Sequence, residues 1–171
     1  MSIMDAIKAR RSIRKYQSKP IEEEKLAQIL EAGRLAPAAN NAQQWKFVVV
    51  RDAGLINKLV PACGGQSFIA EAPVVLVVCA IGDERRMYCG QYAATIDCSI
   101  ALSFMVLEAT ELGLGTCWLG YFNNDKVKRV LRIPDDVNVV AVTPLGYADE
   151  SPAIRPRKAI SEVVAYDGWQ W

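Results

Sequence analysis

Apolar and small residues fill one long stretch of the chain, from Tyr92 to Leu107, and leave no polar stripe to face water. A helix with this pattern is buried on all sides or spans a membrane. Asp97 lies near its middle, and the unbroken apolar run from Ile100 to Leu107 is far shorter than the roughly 18 residues of a span. We therefore expect a long buried helix and no membrane. Its small side chains would let a second copy of the chain cover it across a two-fold axis.

The residues that follow predict a sharp corner. Gly113 and Gly115 end the helix, as glycine caps do, and Thr116–Leu119 has the composition of a short buried strand. Backbone N–H groups are exposed at such a corner, with Trp118 beside them. We expect a ligand to contact the protein here.

Shorter patterns predict further helices. An amphipathic helix begins after Pro20, with acidic residues at its positive end and with Leu35 facing inward. Three more helices are predicted to begin at residues whose side chains can cap a helix. These are predicted at Ser2–Ala9, Asp52–Val60 and Asn124–Leu131.

Continuous apolar runs predict strands at Trp45–Val50, Pro73–Ala80 and Val137–Leu145, with a loop at Pro61–Ser67. Strands and helices alternate along the chain, which is typical of an α+β or α/β layered fold. A length of 171 residues suits one domain with a sizeable core, and we expect residues 1–171 to form it.

The composition limits the class of protein and the compartment in which we expect it. A net charge of +1 and 51% apolar residues are typical of a globular protein and not of a nucleic-acid-coating tail. Five cysteines without a paired spacing favour free thiols in a reducing compartment. Because we recognise no signal peptide, we expect a cytoplasmic protein.

The chain contains no histidine. This removes Ser-His-Asp and Cys-His catalysis, most catalytic zinc sites and the usual general base. We therefore expect no metal site. Chemistry must come from carboxylates, cysteines, backbone dipoles or a bound cofactor.

Two basic clusters lie near opposite ends of the chain. Guanidinium groups bind phosphate oxygens in pairs, so both clusters could close on one anion. A solvated helix end is the alternative for the first cluster, and a nucleic-acid arm is disfavoured by the near-zero net charge. The clusters are Arg10, Arg11 and Arg14, and Arg155, Arg157 and Lys158.

A polar segment precedes the first strand. Two asparagines and two glutamines stand between Ala39 and Trp45, so amide groups collect at the mouth of a buried strand. One interpretation is a turn with asparagines in left-handed conformations. The other is hydrogen bonding to a flat heterocycle with polar edges.

Four motifs, in this order along almost the whole chain, resemble the FMN-dependent nitroreductase family. They are Arg10–Arg14, Ala36–Trp45, Leu112–Gly120, and Gly146-Tyr147 followed by Arg157-Lys158. The resemblance implies an α+β fold with a central, mostly antiparallel sheet flanked by helices. It also implies an intertwined homodimer, with the long buried helix at its interface and two FMN sites there.

The resemblance further implies four groups of flavin-binding residues. The first holds the phosphate, ribityl chain and pyrimidine edge, the second comes from the partner subunit, the third lies along the ring, and the fourth closes on the phosphate. In that order they are Arg10, Arg11, Ser12 and Arg14; Pro37, Ala38, Ala39, Asn41 and Gln43; Cys117, Trp118, Leu119 and Gly120; and Arg157 with Lys158. Ala38 and Gln44 depart from the Ser and Pro that are usual in the family.

The implied activity is hydride transfer from NADH or NADPH, through bound FMN, to a nitroaromatic, quinone or similar electron-poor acceptor in a ping-pong cycle. No side chain is expected to be catalytic, because FMN carries the chemistry. One alternative is a flavin-binding protein that sequesters or senses FMN without efficient turnover, and another is a module that binds a phosphate ligand or nucleic acid. For Cys117 we expect a packing role with a raised thiol pKa, and for Asp97 a capping or interhelical hydrogen bond.

Overall fold

The fold is built on an antiparallel sheet whose strand order is β1-β2-β4-β3. The computed structural model of the protein describes residues 2–82 and 85–169, so the ends of the expected domain at residues 1 and 171 lie outside the described part. The strands are β1 (Trp45–Val50), β2 (Val74–Ile81), β3 (Gly115–Thr116) and β4 (Val137–Gly146). The helices are α1 (Ile3–Ala9), α2 (Glu23–Arg34), α3 (Ala53–Ala62), α4 (Ala93–Glu111) and α5 (Asn124–Leu131).

The central strand β2 is covered on both faces, which explains its unbroken apolar sequence. Because side chains alternate along a strand, Leu76 and Val78 pack in one core with residues of α2 and α4. Val75 and Val77 pack in a second core with residues of α3 and α5. Helices on both sides of an antiparallel sheet make the predicted α+β class correct.

Helix α4 contributes Leu102, Met105 and Ala109 to the core beside α2. Its opposite side carries Ser103 and Phe104, which are exposed in the single chain. Among the described residues, α4 is the one helix long and apolar enough to cross a membrane, by length and composition alone. Helices in the core of a protein pass the same test, and the packing of α4 is of that kind.

Gly113, which lies just beyond α4, explains where the helix ends. Gly113 has a φ of 76°, a conformation that glycine adopts without a steric penalty. The N–H of Leu114 donates to the carbonyl of Ala109 at 2.7 Å, and the N–H of Gly113 donates to Thr110 at 3.1 Å. These two bonds define a Schellman cap, so the chain turns sharply into β3.

Several predictions about the burial and the bounds of these elements are wrong. Leu35 is 63% exposed, because α2 ends one residue before it. The loop predicted from Pro61 begins later, since α3 continues to Ala62. The strand predicted at Thr116–Leu119 is confined to Gly115–Thr116, and the cap of α5 is Asn123 instead of Asn124.

Candidate functional site

The segment that follows α1 lies along the edge of the sheet. Ser12 forms a parallel bridge with Thr116, and the N–H of Ile13 donates to the carbonyl of Thr116 at 2.9 Å. Gly115 permits this approach, because a Cβ atom there would lie 2.6 Å from Cγ1 of Ile13. The first basic cluster is thereby held beside the corner that follows α4.

Residues 7–14 and 152–157 meet at one cleft, which we call the arginine cleft. It has a volume of about 470 Å³. Arginines from both basic clusters line it, together with the Ser12 hydroxyl group. Its polar lining residues are Lys8, Arg10, Arg11, Ser12, Arg14, Arg155 and Arg157. Of the described basic residues predicted to close on a phosphate, Lys158 does not line it.

Not every arginine in the arginine cleft is equally available to a ligand. Nη1 of Arg11 donates to the carbonyls of Lys8, Ala9 and Arg10 at 2.7, 3.0 and 2.8 Å. Arg11 therefore caps the C-terminus of α1, where a cation is favoured. The backbone N–H of Arg14 donates to the carboxylate of Glu150, which brings one negative charge close to the cluster.

A second cleft, the α4 cleft, adjoins the first. It measures about 260 Å³ and shares Arg10 and Ser12 with the arginine cleft. Its other lining residues come from α4 and from the corner after it; they are Ser103, Val106, Leu107, Thr116 and Trp118. The two clefts together join a strongly cationic end to a mainly apolar end.

The corner residues 117–120 differ in their exposure. The Trp118 side chain is 40% exposed and lines the α4 cleft, whereas Leu119 is buried and pairs with Val142 through two backbone hydrogen bonds. Burial raises the pKa of the Cys117 thiol, as expected for a packing residue. Gly120 is exposed, and a Cβ atom there would meet no atom of the described part of the chain within 4 Å.

The polar segment, residues 37–43, lies near the other end of α4. Asn40, Asn41 and Gln43 have left-handed backbones, with φ of 55°, 53° and 50°, so the predicted turn conformation is correct for the asparagines. The carboxylate of Asp97 accepts a hydrogen bond from the N–H of Ala39, which makes the capping role of Asp97 correct. The polar segment lines neither of the two described clefts.

Sequence reasoning missed several residues of the site. The α4 cleft is lined by Ser103, Val106 and Leu107, and the backbone N–H of Arg14 donates to Glu150; none of these four residues was selected. The α4 residues recur at helical spacing on one face, which is a signal, but a uniformly apolar helix does not reveal which face borders a ligand site.

The fold and the clefts define an α+β protein with a site suited to a ligand that carries both a phosphate and an apolar body. Comparison with known proteins gives the family. Residues 7–67 and 60–147 match the nitroreductase family. The chain belongs to the nitroreductase family.

One curated relative is the NADH dehydrogenase of Thermus thermophilus. It is 32% identical to this chain, and the alignment covers 97% of this chain and 98% of the relative. Two solved structures come from Clostridium difficile. A nitroreductase family protein of strain 630 has a TM-score of 0.88 at 33% identity and covers 99% of this chain and 100% of that one. An FMN-dependent nitroreductase of strain R20291 has a TM-score of 0.85 at 30% identity, with coverages of 97% and 99%.

Proposed function

We propose that the protein is an FMN-dependent oxidoreductase that takes hydride from NADH or NADPH and reduces a nitroaromatic, a quinone or a similar electron-poor acceptor. Membership of the nitroreductase family makes it an oxidoreductase. The finer proposals are the acceptor class and a ping-pong cycle, in which the nicotinamide leaves before the acceptor binds.

The observation that carries this proposal is the junction of the two clefts at Arg10 and Ser12. A ligand that spans it meets several guanidinium groups at one end and apolar walls at the other. Guanidinium groups bind phosphate oxygens through paired, charge-assisted hydrogen bonds. FMN has this division, with a phosphate and a ribityl chain at one end and a flat aromatic ring at the other.

The residues present fit this cofactor. Arg10, Arg14, Arg155 and Arg157 would bind the phosphate, and the Ser12 hydroxyl group would bind the ribityl chain. Val106, Leu107 and Trp118 offer apolar surface to the ring. When bound, FMN supplies the redox chemistry by accepting hydride from a reduced nicotinamide and passing electrons to an acceptor.

The protein then has three tasks: to bind, to orient and to exclude water. A chain without histidine can perform them, because none requires a side-chain base. Positive charge at a site from which a bound ligand displaces water acts more strongly than it does in water. Arg10 borders both clefts and is therefore suited to stabilise negative charge at the ring edge as well as the phosphate.

A homodimer would complete this site. The polar segment carries amide groups suited to the edge of a flavin, yet it lines neither cleft of its own chain. We propose that it reaches the flavin of the partner subunit and that residues 1–171 act as one cytoplasmic domain. Exposed Ile7 of α1 and Phe104 of α4 offer apolar surface for such a partner.

The names of two relatives support this proposal. The Thermus thermophilus protein is named an NADH dehydrogenase, and the Clostridium difficile R20291 structure is named an FMN-dependent nitroreductase. A nicotinamide reductant and an FMN cofactor are the two partners that our proposal requires.

Stopped-flow absorbance tests the proposal. The protein is loaded with FMN, mixed with NADH or NADPH without oxygen, and then mixed with a nitroarene or a quinone. We expect the flavin absorbance to bleach and then to return when the acceptor is added. Bleaching without return would favour a protein that only sequesters or senses FMN, and a protein that binds no FMN would exclude both functions.

A further inference from the structure

Asp97 is a buried acid that the proposed reaction does not use. Its side chain is 3% exposed and lies within α4. Its oxygens Oδ1 and Oδ2 lie 3.1 and 3.0 Å from the backbone nitrogen of Ala39, which donates the hydrogen bond. A carboxylate is costly to bury unless it is hydrogen-bonded, so the contact with Ala39 compensates for part of that cost.

The hydrogen bond from Ala39 to Asp97 lies next to the residues of the polar segment whose backbone conformations are unfavourable. Asn40, Asn41 and Gln43 all have positive φ, a region that residues other than glycine adopt infrequently. Such conformations persist when surrounding contacts over-determine them. Ala39 begins the short 3₁₀ turn that contains both asparagines, so a contact at Ala39 acts directly on that turn.

Other contacts hold the polar segment and Gln44, the residue that follows it. Nη2 of Arg85 donates to the carbonyl of Ala39 at 3.2 Å, and the N–H of Ile81 donates to the carbonyl of Gln44 at 3.0 Å. The bonds to Asp97 and from Arg85 both involve an ionisable side chain, and such bonds are stronger than neutral ones. Asp97 is buried whereas Arg85 is exposed, so water competes less with the bond to Asp97.

We propose that Asp97 is a positioning residue for the flavin site. Its carboxylate fixes Ala39 and thereby presets the shape in which the polar segment meets the flavin bound to the partner subunit. This inference rests on the proposed function. Without the restraint, the polar segment would have to become ordered when FMN binds, and the entropic cost would lower the affinity.

The test compares FMN titrations of the wild-type protein with those of three variants. We expect D97A to bind FMN about 10-fold more weakly, the effect of losing one charge-assisted hydrogen bond. D97N should bind within about threefold of the wild-type protein, because its amide oxygen can accept the same bond. D52A is the matched control: Asp52 accepts from the N–H of Leu55 at 2.7 Å and caps α3. It should lower stability and leave the FMN affinity unchanged.

Hydrogen exchange in the flavin-free protein provides a readout that does not require a variant to fold. We expect the Ala39 amide of the wild-type protein to exchange more slowly than the exposed amides around it. Equal FMN affinity in D97A and the wild-type protein, or rapid exchange at Ala39, would overturn the inference. A wild-type protein that binds no FMN would overturn the proposed function as well, and that failure is recognised because it requires no variant.

Discussion

At the scale of single residues, Arg10 and Arg157 line one cleft although most of the chain separates them. Replacing either by alanine should weaken FMN binding by about 1.5–3 kcal/mol, the range for hydrogen bonds to charged groups. This corresponds to roughly a 10- to 150-fold higher Kd. Quenching of flavin fluorescence during a titration measures the change.

Arg34→Ala is the matched control for these variants. Arg34 is an exposed arginine whose guanidinium group pairs with Glu31 at 2.6 Å at the end of α2, and it does not line the arginine cleft. This variant should bind FMN like the wild-type protein. If R10A and R157A also kept the wild-type affinity, the two basic clusters could not hold the phosphate.

Because two thiols are buried, we expect the free energy of unfolding to depend on pH in the alkaline range. Desolvation raises the pKa of both Cys63 and Cys79 from 9.0 to about 11. Between these values the unfolded chain loses the thiol protons before the folded chain does. The folded state therefore binds more protons, and the free energy of unfolding falls as the pH rises from about 9 to about 11.

Urea unfolding at several pH values tests this dependence on the wild-type protein and on Cys79→Ala. Each pKa unit is equivalent to about 1.4 kcal/mol, and the variant should show a flatter decline because one shifted group is gone. Cys89→Ala is the control, since Cys89 is exposed. A decline equally steep in all three proteins would contradict a role for the Cys79 thiol.

At the scale of elements, the contact between β3 and the segment after α1 depends on Gly115. A Cβ atom at this position would lie 2.6 Å from Cγ1 and 2.9 Å from Cβ of Ile13, and Ile13 is buried and stiff. Gly115→Ala should therefore lower the free energy of unfolding by about 1–3 kcal/mol, the usual cost of overpacking. It should also weaken FMN binding, because Arg10 and Ser12 belong to the segment that the new Cβ atom would displace.

Gly168→Ala is the control for this substitution, because a Cβ atom at Gly168 would meet none of the described residues within 4 Å. Chemical denaturation and FMN titration should both give wild-type values for it. If Gly115→Ala also gave wild-type values in both measurements, the close approach of Ile13 would not be what holds the arginine cleft in shape.

The sequence was sufficient for the elements that are long and strongly patterned. β1 was predicted residue for residue, and α4 was recognised from its apolar stretch and its glycine cap. The errors in element bounds arise where the sequence pattern indicates one end point and the backbone of the structure has another. Pro61 lies in the last turn of α3, where its missing N–H removes a helical hydrogen bond, yet the helix continues one residue past it. The chain leaves β3 after Thr116 although the sequence stays apolar.

Tertiary contacts explain what sequence reasoning could not find in the candidate site. The bridge between Ser12 and Thr116 joins residues far apart in the chain, and no local pattern encodes it. The basic residues were recognised as candidates because arginines suit phosphate. Their convergence, and the capping of α1 by Arg11, depend on how distant segments pack.

At the scale of the whole molecule, the single chain leaves much apolar surface in water. Ile3 of α1, Phe104 of α4 and Ile154, Ile160 and Val163 of the C-terminal segment are 76, 41, 75, 77 and 63% exposed. Exposed apolar patches of soluble proteins commonly mark interaction surfaces. A second copy of the chain would bury such surface in a symmetric, self-complementary interface, and it would bring its polar segment to the flavin site.

Sedimentation velocity of the wild-type protein with added FMN tests the central claim most directly, with detection in both the protein and the flavin absorption bands. Our account predicts that flavin absorbance sediments with a particle of twice the chain mass of 18.8 kDa. Flavin that remains at the meniscus, or that sediments with a single chain, would contradict a cofactor site built from two copies of this protein.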